Sequence, residues 1–83
     1  MGQTFGAKWH LVAIERHRLL KEEQFHMAEF CNVLLLYLEK KTTLHNVINA
    51  RDVLYAHGNT FNEFHLLLLR LHLPSTLRHT LLM

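Results

Sequence analysis

The chain has 83 residues, of which 49% are hydrophobic and 19% charged, with a formal net charge of +2. That length allows one domain with a small core, and the apolar share excludes a disordered tail. Three glycines and one proline leave too little turn material for an all-β fold. The bases are scattered, with local clusters only at Arg16-His17-Arg18 with Lys21 and at Lys40-Lys41. Such a balance argues against nucleic acid as a partner. A lone cysteine cannot form an intrachain disulfide, and no charged-then-apolar leader opens the chain. An intracellular location, cytoplasm or nucleus, is therefore expected.

The chain reads as all-α: a small bundle of four helices plus a short C-terminal fifth, arranged as two antiparallel αα-hairpins in a single domain over residues 1–83. Helix A is expected over about 5–20. Thr4 can cap it, and Phe5, Trp9, Val12, Ala13, Leu19 and Leu20 form one stripe with Arg16 in its middle. Arg16 either snorkels or pairs with the nearby Glu22 and Glu23.

Helix B is expected over about 22–41, with two acids in its first turn and Lys40-Lys41 in its last, as the helix dipole favours. Its centre, Phe25–Leu38, is the most apolar stretch of the chain. At 100° per residue Met27, Ala28, Phe30, Cys31, Leu34, Leu35, Tyr37 and Leu38 cover one half of it, which marks a buried helix. It is too short to span a bilayer.

Thr42-Thr43 breaks the chain before helix C, about 44–57, with its stripe Leu44, Val47, Ile48, Leu54 and Tyr55 and with Arg51 in register. Gly58 is a natural left-handed stop. Thr60-Phe61-Asn62-Glu63 is a capping box that starts helix D, about 61–73, which must end before Pro74. Helix D has two apolar faces: Phe61, Phe64, Leu67, Leu68 and Leu71 form one, Leu66, Leu69 and Leu73 the other. The tail, about 76–82, makes a short helix E carrying Leu77, Leu81 and Leu82.

Shifting helix A by 35 residues lays Trp9, Val12, Arg16, Leu19 and Leu20 on Leu44, Val47, Arg51, Leu54 and Tyr55. The period is that of tetratricopeptide repeats, whose small-residue signature is missing.

Nothing in the chain is arranged for catalysis. Cys31 sits among apolar residues that make a thiol inert, the single serine follows Pro74, and no glycine-rich phosphate loop exists. None of the eight histidines lies three or four residues from another, so no helical metal pair forms. Neither a metal nor a cofactor is expected, and no small-molecule substrate is evident. Phe64, Leu68, Leu71 and Leu73 have the spacing of a leucine-rich nuclear export signal, which is also that of a core face.

Two of the four main helices are apolar on more than one side, more than so short a chain can comfortably cover. The expected function is a non-enzymatic protein–protein interaction module, a homodimer or a small subunit of a larger complex. Its expected interface is Leu66, Leu69, Leu73, Leu77, Leu81 and Leu82. Histidines between the apolar faces would make that association pH-dependent.

Two resemblances offer alternatives. Ile48–Tyr55 resembles the third helix of histone-fold proteins, which implies a handshake partner in a chromatin or transcription complex. The opening Met1-Gly2-Gln3 resembles that of retroviral Gag matrix proteins, with Gly2 as the position of lipidation. That implies a membrane-associated adaptor, with membrane contact only if Gly2 is acylated.

Overall fold

The computed structural model describes the backbone of residues 2–83 and the side chains of 7–83, so Gly2, Thr4 and Phe5 lie outside the fully described residues. It consists of α1 (Gly2–Lys21), α2 (Phe25–Leu38), α3 (Leu44–Ala56), α4 (Phe61–Arg70) and α5 (Ser75–Leu82), with no strand among the described residues. The all-α small bundle is therefore observed. The radius of gyration, 11.8 Å, is that of a compact chain of this length.

α2 is the centre. Met27, Ala28, Phe30, Cys31, Leu34 and Leu35 are all buried, which is most of the half-cylinder expected from its periodicity. The closest backbone packing is of α1 on α2 and of α2 on α3. Two cross-links fix α1 on α2. Trp9 Nε1 donates to Glu39 Oε2 at 2.6 Å, and an Arg16 Nη donates to Asn32 Oδ1 at 2.8 Å. Both pairs have residue numbers summing to the same value, the signature of an antiparallel pair in constant register. α4 closes the core from another side: the Phe30 and Phe64 rings meet edge to face at 5.1 Å, with Tyr55 also edge-on to Phe64 at 5.8 Å. α5 adds the fully buried Leu81, and its carbonyl accepts from Arg51 at 2.9 Å.

The 35-residue echo between α1 and α3 carries over to environment. Val12 and Val47 are both fully buried, as are Leu19 and Leu54. Arg16 and Arg51 are both half-buried, and each donates to an oxygen on another element.

The helix ends differ from the sequence reading, for one shared reason. Helix B was expected from 22 to 41, yet α2 runs from Phe25 to Leu38. Glu22 and Glu23 sit in the turn before it, Lys40 and Lys41 in the turn after it, so neither pair charges its ends. The turns are set by left-handed residues at Glu23 (φ 61°), Lys40 (φ 61°), Gly58 (φ 92°) and His72 (φ 54°). At the first three the paired reverse hydrogen bonds of a Schellman ending are complete: Glu23 to Leu20 with Gln24 to Leu19, Lys40 to Tyr37 with Lys41 to Leu36, and Gly58 to Tyr55 with Asn59 to Leu54. His72 donates to Leu69 in the same way and ends α4 before the expected 73. Only one of the four is a glycine, so only one stop was visible as a residue type.

The Thr60–Glu63 capping box forms as expected, with Glu63 N–H donating to Thr60 Oγ1 at 3.1 Å and Thr60 N–H to a Glu63 carboxylate oxygen at 2.7 Å. Leu20 and Phe61, expected on buried stripes, are both exposed. Each lies in a terminal turn of its helix. Arg16 bonds Asn32 rather than Glu22 or Glu23, and its Nε is buried without a partner among the described residues.

Candidate functional site

α4 is strongly two-sided. Phe64, Leu67, Leu68 and Leu71 are buried against α2 and its neighbours, while Leu66 is 61% and Leu69 43% exposed on the opposite side. The other expected interface residues separate from these two. Leu73 and Leu81 are sealed inside the chain's own core, and Leu77 and Leu82 are half-buried against it. The expected six-residue interface therefore leaves Leu66 and Leu69 as its exposed part. The export-like set Phe64, Leu68, Leu71 and Leu73 is wholly buried.

Beside Leu66 runs a charge network that joins α4 to α1 and that the sequence did not reveal. Glu15 is nearly buried, and both Arg18 on its own helix and Arg70 on α4 reach it, the latter at 3.3 Å. Arg18 also bonds Glu22 at 2.7 Å. Hydrogen bonding to Glu15 above all, and then to Glu22, pushes the Arg18 guanidinium above its already high range. The signal in sequence was the spacing of Glu15, Arg18 and Glu22 at i, i+3 and i+7, one i,i+3 step followed by one i,i+4 step. The partner from α4 was not local and left no signal.

That network also orients the surface. Glu15 faces α4. Ile14, one residue and about 100° away on the helix, points to solvent. Ile14 is 65% exposed and Leu11, one turn before it, is also exposed. α1 and α4 together thus frame a belt of charges, Glu15, Arg18, Glu22, Glu63 and Arg70, with Leu66 beside it.

The remaining candidate groups are quieter. Burial in the core pushes the Cys31 thiol up to about 12, far from a reactive thiolate. The His26 and His57 rings stack at 3.8 Å across the α2–α3 end, with His57 Nδ1 2.9 Å from the Val53 carbonyl. Stacked rings do not converge on a common point, and among the described residues no three His, Cys, Asp or Glu side chains are grouped to hold a metal ion. Ile48–Tyr55 lies within α3, with Leu54 buried and Val53 exposed. No helix among the described residues is long and apolar enough to cross a membrane.

The chain matches no protein-family model, no curated protein and no solved structure.

Proposed function

We propose that the protein is a non-enzymatic helical interaction module that works inside the cell and binds a protein through the outer face of α4. The observation that carries this reading is the exposure of Leu66 and Leu69 on a helix whose other side already supplies the core. Isolated exposed leucines are ordinary, but these two lie three residues apart on one face of α4, beside the charges that join it to α1. The reading is supported further by the quiet chemistry of Cys31, whose thiol burial holds protonated.

The test is the solution mass of the purified chain by light scattering over a dilution series, alone and with any co-expressed partner. The comparison is a variant carrying Leu66→Glu and Leu69→Glu. Because both positions are exposed, the variant keeps its helical circular dichroism and its melting transition. Association lost in that variant supports the reading. A wild-type chain that stays monomeric, binds nothing and behaves as the variant does overturns it.

A further inference from the structure

We infer that the partner on the α4 face is a second copy of this chain, with the two α4 helices packed antiparallel about a two-fold axis. This rests on the interaction reading above and names its partner.

The argument is self-complementarity. An interface between identical copies must match its own surface turned end for end. The outer side of α4 has Glu63 near its start, Arg70 at its end, and Leu66 and Leu69 between them. A two-fold axis passing between residues 67 and 68 brings Leu66 of one copy level with Leu69 of the other. The same axis brings Glu63 to within about 3 Å, along the helix, of Arg70 of the other copy, at 1.5 Å per residue. Arg70 spans that gap easily.

Both charges have capacity left for a partner. Glu63 gives one carboxylate oxygen to the Thr60 N–H, and its other oxygen accepts no hydrogen bond among the described residues. Arg70 reaches Glu15 with its Nε at 3.3 Å, and its side chain stays 57% exposed. On both helices the two charges lie toward the α1 side, so the antiparallel arrangement sets acid beside base. A parallel two-fold arrangement would put the charged flanks of the two copies on opposite sides of the contact, where neither Glu63 nor Arg70 meets its opposite, so charge complementarity selects the antiparallel one.

Size fits if α1 takes part. A stable pair buries about 800 Å² per partner, and the surface of this chain is 5404 Å². α4 has ten residues and a length of about 15 Å, too little alone. The edge of α1 held beside α4 by the Glu15–Arg70 pair, with Arg18 and Glu22, widens the surface to a two-helix face.

The experiment mixes two single variants, Leu66→Cys and Leu69→Cys, under mild oxidation, and follows which disulfides form. Cys31 is fully buried, so it stays silent in the folded chain. The expected result is a concentration-dependent dimer in which the mixed 66–69 disulfide forms several-fold faster than either like-with-like disulfide. Leu66→Glu with Leu69→Glu raises the dimer dissociation constant on the order of 100-fold or more, as loss of central anchors does. Glu63→Gln, which retains the capping box, raises it about two- to fivefold at low salt.

Like-with-like cross-links overturn the antiparallel pairing. A chain that is monomeric alone, yet loses a co-expressed partner on the Glu substitutions, overturns the second copy and leaves the interaction reading standing. A dimer indifferent to the Glu substitutions overturns both.

Discussion

The indole of Trp9 donates to the carboxylate of Glu39 at 2.6 Å, tying the start of α1 to the end of α2 across thirty residues. That bond, with a lesser contribution from Lys41, holds the Glu39 carboxyl below the ordinary carboxylate range. A carboxyl whose value is lowered on folding adds stability that is present above its unfolded value and lost as pH falls through its folded value. Stability should therefore hold at neutral pH and decline on acidification below about pH 4.5. Trp9 is the only tryptophan, so its fluorescence should report the same titration in the native state. Glu39→Gln should abolish that fluorescence step and flatten the acid limb of a urea stability series. A step that persists unchanged in the variant would assign it to another group.

Three helix ends should be improvable. Glu23, Lys40 and His72 hold left-handed backbone that costs an L-residue about 1–2 kcal/mol, and glycine escapes that cost while adding about 0.5–1 kcal/mol of chain entropy. Glu23→Gly and Lys40→Gly should each stabilise by on the order of 0.5–1 kcal/mol, seen as a rise of several degrees in the melting temperature. Gly58→Ala is the opposite control. A Cβ there meets nothing within 4 Å, so the change trades backbone strain of about 1–2 kcal/mol against the recovered chain entropy, a net cost of about 0.5–1 kcal/mol.

The core should fail through α4. Phe64 is fully buried and touches both Phe30 and Tyr55 edge to face. Phe64→Ala should cost about 3–5 kcal/mol. A chain of this length has a total stability of about 4–12 kcal/mol at roughly 0.05–0.15 kcal/mol per residue. The variant should therefore lose from about a quarter to all of its stability, seen as a large fall in melting temperature, whereas Phe64→Leu should survive with a smaller drop in urea midpoint. Equal midpoints for Phe64→Ala and wild type would remove Phe64 from the core.

Cys31 should be a reporter of unfolding rather than a reactive thiol. With its thiol pushed up to about 12 by burial and no exposed surface, it should resist a disulfide reagent at pH 8 in the folded chain. Modification should appear only with denaturant, along the same transition as the loss of helix. Rapid labelling of the native protein would contradict the burial.

Much of the fold was legible because α2 is apolar on a helical period and a helix like that has nowhere to go but the centre. The capping box at Thr60 and the glycine stop at 58 were legible for a similar reason: each is a residue type with one strong backbone use. Glu23, Lys40 and His72 were not, since their left-handed turns are imposed by how the helices pack and not by what these residues prefer. The α4 face was half legible. The wheel grouped Leu73 with Leu66 and Leu69, but α4 ends at Arg70, so the wheel no longer applies at 73 and Leu73 turns inward. The Glu15–Arg70 bridge was invisible, because it joins residues 55 positions apart with no pattern between them.

The close packing of α1, α2 and α3 follows the order of the chain, while α4 is attached to them by side chains and one ion pair. Contacts between sequence neighbours close quickly, so the first three helices should assemble early and α4 with α5 should dock last. The same asymmetry sets the order of opening. Slow hydrogen exchange should persist longest at Leu34 and Leu35, and amides of α4 should exchange through a smaller opening that leaves the first three helices in place. Such an opening bares Phe64, Leu67, Leu68 and Leu71 together with Leu66 and Leu69, making a detached α4 sticky on both sides. Colloidal loss of this protein on storage should therefore track the docking of one ten-residue helix rather than global melting.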